Sequence, residues 1–233
     1  MSKAAYQPQV DKLLAAIGAH VNSAGVKLGV AHHDAISPIL HWIDYLKGSE
    51  LTGCCDDMLD GIRATAVEAS GCIALGLIRP ALFALRAQID ATIAWLFFKD
   101  HPIEWEFLLR TGDGFKSRNE TIEFFGRYVE RFTARFQILT AHRTRSVEQP
   151  YRLLSAHIHG QSALVVPTFQ NLAAMVYPKG QCEEAIKIQA DVVEYIGDIF
   201  LSYYASKWPA LPDSILSAAK ARVPNEKHSS LFS

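Results

Sequence analysis

The apolar residues of this chain recur at helical spacing through nearly every segment, and no run alternates apolar with polar at the two-residue period of a strand. Residues 9–24 put Val10, Leu13, Leu14 and Ile17 on one side of an amphipathic helix, and Gly25 and Gly29 loosen the chain beyond it. Ser37 and Pro38 have the form of a helix start, a capping serine followed by proline at the first helical position. Ile39, Leu40, Trp42, Ile43 and Leu46 carry that helix to Gly48. Another opens at Asp56 and Asp57 and runs through Met58, Leu59, Ile62 and Val67. Asp100-His101-Pro102 breaks the pattern, and a short helix through Ile103, Trp105 and Leu109 leads into the turn Thr111-Gly112-Asp113-Gly114.

From residue 116 to 142 the spacing predicts one long helix, with Phe125, Tyr128, Val129, Phe132, Phe136 and Leu139 as a wide apolar stripe. Ser146 with Gln149 three residues on reads as a capping box ahead of Pro150, and Pro167 marks the limit of the helix that follows. Residues 183–208 form the last long helix. Beyond it Pro209, Pro212 and Pro224 among lysine, asparagine and serine predict a loose tail. The expected fold is therefore all-α: one helical bundle of five or more helices over residues 1–208, with a flexible tail over 209–233.

The longest apolar segment, residues 73–98, has the length of a membrane span but holds Arg79, Arg86, Gln88 and Asp90. Each charge near its middle would cost about 2.5–3.5 kcal/mol to insert. A buried bundle helix is the expectation, kinked or started at Pro80, and no membrane partner is implied. Composition adds little pull in any direction. The chain of 233 residues is 49% hydrophobic with a formal net charge of −1, so it can bury a large core and any nucleic-acid contact must be local. Met1 to Gln7 lack the apolar stretch and cleavage site of a signal peptide, which points to the cytoplasm. Cys54, Cys55, Cys72 and Cys182 form no Cys-x-x-Cys and read as reduced, buried thiols. No metal or other cofactor is expected, since the histidines at 32, 33 and 41 have no second ligand set at a suitable spacing.

The chemistry concentrates in Tyr151-Arg152-Leu153-Leu154-Ser155-Ala156-His157-Ile158-His159-Gly160, where Arg152 precedes His157 by five positions and His159 by seven. Histidine titrates near neutrality and can move the proton of an RNA 2′-hydroxyl. A guanidinium can hold two oxygens of the phosphorane that follows. Arg135 with His142, and Arg222 with His228, match the same spacing, but only Arg152 begins a helix and is answered by two histidines. On the preceding apolar helix Arg79, Arg86 and Asp90 fall along one stripe, and burial there calls for an Arg86–Asp90 ion pair or a cavity. Tyr151 and Ser155 share a face of the motif helix. Arg127, Arg131 and Arg135 recur every four residues opposite the apolar stripe, a ridge able to follow an RNA backbone or to be a solvated face with internal ion pairs.

Arg-x4-6-His is the mark of the HEPN-like helical domains, many of them metal-independent ribonucleases. The succession from Leu77 to Asp90, followed by Tyr151 to Gly160, resembles uncharacterised bacterial HEPN-like proteins associated with phage-defence and toxin genes. The resemblance implies a homodimeric endoribonuclease acting on RNA, alongside a defence-system or antitoxin partner. Arg152 would hold the phosphate and His157, with His159 as substitute, would move protons. Asp90 and Arg86 would order the site beside the histidine, and Tyr151, Ser155, Arg79, Arg127, Arg131 and Arg135 would contact substrate. A second reading stands beside it: a non-catalytic interaction or ligand-sensing subunit, favoured by Leu153, where the family commonly has a polar residue.

Overall fold

The glycines and prolines of the first fifty residues do not interrupt the chain. In the computed structural model, which describes residues 3–161 and 165–232, helix α1 (Lys3–His20) passes through a π-helical turn (Val21–Gly25) directly into α2 (Val26–Ser49). Gly25 serves packing rather than looseness, because a Cβ there would stand 3.0 Å from the carbonyl oxygen of Ala74. Pro38 lies inside α2 instead of starting a helix. Both it and Asp34, one turn earlier, are exposed, so water can meet the carbonyl that proline leaves without a donor.

Helices α3 (Asp57–Ala74) and α4 (Ile78–Phe98) form an antiparallel hairpin closed at Gly76. Gly76 has φ +79°, and a Cβ on it would come within 2.8 Å of Val176, so this turn admits no side chain. Pro80 falls in the first turn of α4, the start that the sequence allowed. Helix α4 runs through the middle of the bundle, with Leu85, Ile89, Trp95 and Phe98 fully enclosed. By length and composition alone, two helices among the described residues could cross a membrane: Tyr6–Ser49, whose most apolar window is 22% buried in the protein, and Ile78–Phe98, 72% buried. The second shows the burial of a core helix.

Next come α5 (Pro102–Thr111), α6 (Arg118–Tyr128), α7 (Phe132–Ala141), α8 (Pro150–His159) and α9 (Lys179–Tyr204), with a 3₁₀ turn (Leu172–Met175) before α9. The one helix expected over 116–142 is thus two. Arg131 adopts a left-handed conformation, φ 60°, at the break, which allows Phe125 and Phe132 to be buried together with ring centres 5.5 Å apart. The capping box also lies elsewhere than expected. Ser117 Oγ accepts from the Glu120 amide while the Ser117 amide donates to Glu120 Oε2 at 2.8 Å, opening α6. Ser146 caps nothing: its amide and hydroxyl both donate to the Asp191 carboxylate, and α8 opens at Pro150 without a side-chain cap.

The expected loose tail is folded. After a 3₁₀ segment (Ala205–Ala210), α10 (Asp213–Arg222) and α11 (Asn225–Leu231) each begin directly behind a proline, Pro212 and Pro224. Ile215, Leu216 and Leu231 are buried on the bundle, about 1.5–3 kcal/mol each, which holds helices too short to stand alone. All described residues belong to an all-α bundle without strands, centred on α4 and α9.

Candidate functional site

Leu154, fully buried, anchors α8 against the bundle and thereby sets which way every other side chain of that helix faces. Pro150 at the first position fixes its start, and Gly160 in the left-handed region, φ 58°, ends it. Successive residues turn by about 100°, so the ten-residue motif divides into three sectors around the buried line.

One sector meets α4. The guanidinium of Arg86 is ion-paired with Asp90, donates from Nε to Ser155 Oγ at 3.2 Å, and lies 3.5 Å from the centre of the Tyr151 ring. Arg118, at the start of α6, approaches the same ring at 5.6 Å and donates from Nε to the Tyr195 hydroxyl at 2.9 Å. Two arginines, two tyrosines, a serine and a carboxylate therefore meet where α4, α6, α8 and α9 converge. Only part of this was expected: Arg86 with Asp90, and Tyr151 with Ser155. Tyr195 was missed, and nothing in the spacing tied Arg118 to this cluster.

A second sector carries His157, which faces Arg79. Both line a cavity of about 280 Å³ with Tyr177, Gln181 and Glu184. Burial and then the charge of Arg79 hold the His157 imidazole below its ordinary pKa. Arg86 and Asp90, expected beside His157 or His159, do not lie beside His157, because Ser155 and His157 point about 160° apart on the helix and Arg86 follows Ser155.

The third sector is exposed. Arg152 and His159, seven residues and so about two turns apart, stand on this face with Ala156 between them. Arg152 also lines a shallow depression with Val147, Glu148, Gln149, Leu153, Ala156 and Gln161, which includes neither His157 nor His159. Of the two histidines, His159 is the one that shares a face with the arginine.

The arginine ridge is not formed. Arg127 is exposed and ion-paired with Glu123 at 2.9 Å. Arg131 donates to the Ser230 carbonyl at 3.3 Å. Arg135 is 2% exposed and donates to the carbonyls of Glu130 and Ser202. The break at Arg131 rotates α7 against α6, and the four-residue repeat ceases to mark one face.

Sequence reasoning also missed the acidic stripe Asp191, Glu194 and Asp198, spaced three and four apart on α9. Arg145 donates to Glu194 at 2.9 Å and to Asp198 at 2.6 Å, and Arg222 of α10 ion-pairs with both. Burial would raise Glu194, but hydrogen bonds from Thr144 and the charge of Arg222 bring it below the ordinary carboxylate value. For Asp198, burial outweighs the pull of Arg222 and Arg145 and moves the carboxyl upward. Nearby, His32 meets Gln189 Oε1 at 3.2 Å, and Gln189 exchanges two hydrogen bonds with Gln88. The two glutamines satisfy each other in the interior, whereas His32 Nδ1 has no partner among the described residues. Among the described residues no three or more histidines, cysteines or carboxylates are grouped to hold a metal ion.

No protein-family model, curated protein or solved structure matches this chain.

Proposed function

We propose that the chain is a metal-independent endoribonuclease of the HEPN-like kind, serving a bacterial defence or toxin system in the cytoplasm and working on the exposed face of α8. The observation that supports this reading most is the pairing of Arg152 with His159 on one solvent-facing stripe, beside a helix flank already ordered by Arg86, Asp90, Tyr151 and Ser155.

In this reading the His159 imidazole takes the proton of an RNA 2′-hydroxyl as that oxygen bonds to phosphorus. The guanidinium of Arg152 holds the equatorial oxygens of the phosphorane. The bond to the 5′-oxygen then breaks, and that oxygen receives a proton from a second imidazole, leaving a 2′,3′-cyclic phosphate. A homodimer supplies the second imidazole: when two copies of α8 meet antiparallel about a two-fold axis, the arginine of each faces the histidine of the other. Arg86 and Asp90 act as positioning residues through Ser155 and Tyr151.

The test is incubation of the purified protein with mixed single-stranded and structured RNAs in chelator, beside Arg152→Ala and His159→Ala. Cleavage with cyclic-phosphate ends, lost in both variants, is the expected result; cleavage unchanged in both removes the assignment. The non-catalytic alternative draws on one observation, that Arg152 and His157 open into separate depressions. A folded wild-type protein without cleavage of any RNA would favour it.

A further inference from the structure

A groove of about 590 Å³ runs between α2, α9 and α10, on a part of the molecule that α8 does not touch. Its volume lies in the range of small-molecule sites, and its lining is mostly apolar, as such sites are. The floor is the indole of Trp42, 4% exposed. The walls are short side chains, Ala218 of α10 among them, which keep α10 from closing on α2.

Two features give the groove a chemical preference. The first is an unused donor. Trp42 Nε1 makes no hydrogen bond to the described residues, yet it is not fully enclosed as the unpaired Tyr204 hydroxyl is. It lies 3.7 Å from where a Cβ on Gly197 would stand, and Gly197 lines the groove, so the absent side chain leaves the indole N–H facing the open space. A donor on a buried ring is costly to leave without an acceptor. The second feature is charge. The ionisable groups on the lining are Asp34, Glu194 and Arg222. Glu194 and Arg222 pair with each other at 3.1 Å, while Asp34 has no ion-pair partner among the described residues. The groove therefore has one negative charge to offer, at an exposed position on its α2 side.

We infer that this groove binds a planar aromatic molecule that carries a cationic amine and a hydrogen-bond acceptor. The aromatic body lies on Trp42, the acceptor takes the indole N–H, and the amine meets Asp34. A ring packed against the edge of the indole and a cation beside a carboxylate are each modest contributions, and together they select against anions of similar size.

Quinacrine has the three elements, an acridine ring, a methoxy oxygen and a cationic side chain. Its fluorescence polarisation with the full chain, beside Asp34→Asn, Trp42→Phe and Ala218→Trp, tests the inference. Saturable one-to-one binding is expected. It weakens about two- to fivefold in Asp34→Asn and about fivefold in Trp42→Phe, and it is lost in Ala218→Trp, where an exposed position of α10 gains a ring that fills the groove. Thermal unfolding of the variants separates lost binding from lost fold. No saturable binding, or binding indifferent to Ala218→Trp, overturns the inference. So does anionic anilinonaphthalene sulfonate competing for the groove as well as quinacrine. A wild-type dimer that Ala218→Trp converts to monomer also overturns it, because the groove is then filled by a second copy. RNA cleavage plays no part in the readout, so this site and the one on α8 succeed or fail separately.

Discussion

The guanidinium of Arg86 lies flat against Tyr151, 3.5 Å from the ring centre, and joins the apolar core helix to the helix that carries the arginine–histidine motif. The ion pair to Asp90 and the bond from Nε to Ser155 add two further contacts to the same cation. Arg86→Ala is therefore expected to cost about 2–3 kcal/mol, from the lost stacking and the lost charge-assisted hydrogen bond. Urea denaturation measures it. Arg86→Lys keeps the charge without the fork and should recover less than half. Equal stability of wild type and Arg86→Ala would show that the α4–α8 contact is held by Leu154 alone.

Surface positions of α8 should behave oppositely. Arg152→Ala and His159→Ala remove exposed side chains that make no hydrogen bond or ion pair among the described residues, so stability is expected to stay within about 0.5 kcal/mol. If the helix face works on RNA, the His159→Ala variant loses about 10²- to 10⁴-fold in single-turnover cleavage. His157→Gln, altered in the Arg79 cavity rather than on that face, should lose less than tenfold. A larger loss in His157→Gln than in His159→Ala would transfer the proton-moving role to His157.

Acidification should weaken the fold through two histidines. Burial depresses the pKa of His32, against the hydrogen bond that its ring donates to Gln189 Oε1, and burial with the charge of Arg79 depresses that of His157. In both cases the unfolded chain binds the proton more readily than the folded one. Their stabilising contribution is complete above the ordinary histidine value of 6.5 and is lost as pH falls from there toward the depressed folded values. Denaturation midpoints at pH 7.5 and pH 5.5 test this, and His157→Gln should flatten part of the fall. A midpoint that rises on acidification would contradict it.

The ion network on α9 makes the C-terminal helices part of the cooperative unit. Asp198 is fully buried between Arg145 and Arg222, so removing one cation strands a charge in the interior. Arg222→Ala is expected to destabilise by about 3–5 kcal/mol. Deleting residues 209–233 should cost at least as much, because it also uncovers the surface on which Ile215 and Leu231 lie. Thermal unfolding of the truncated chain with an unchanged midpoint would mean that α10 and α11 are only loosely docked.

Much of this architecture can be read from the chain, and the failures have physical causes. The start of α8 follows from Pro150 and the bounds of α5 from Pro102 and Gly112, because each sits where its backbone preference is needed, whereas α8 ends at Gly160 and not at the expected limit of Pro167. The break between α6 and α7 has no such marker: Val129, Glu130 and Arg131 are ordinary helix residues, and it is the joint burial of Phe125 and Phe132 that puts Arg131 in a left-handed conformation. Proline misled in two ways. Pro38 sits inside a helix whose neighbours hold it in place, while Pro212 and Pro224, which seemed to dissolve the tail, stand directly before its helices. At the candidate site, the sequence reading grouped residues by proximity along the chain. Five residues of α-helix turn a side chain about 140° away and seven bring it back, so His159 rather than His157 joins Arg152.

The π-helical turn at Val21–Gly25 sets two phases on one rod. A π turn inserts an extra residue into an α-helix and advances everything after it by about 100°. Ahead of the insertion, α1 addresses the Leu172–Met175 turn, where the Leu172 amide donates to Gln9 Oε1 at 3.4 Å. Behind it, α2 addresses α3 and α9 through Ile39, Ile43 and Leu46. A regular helix of the same length would carry both halves in one phase and direct one of them away from its neighbour. The inserted residue thus lets a single continuous element index two unrelated surfaces of the bundle.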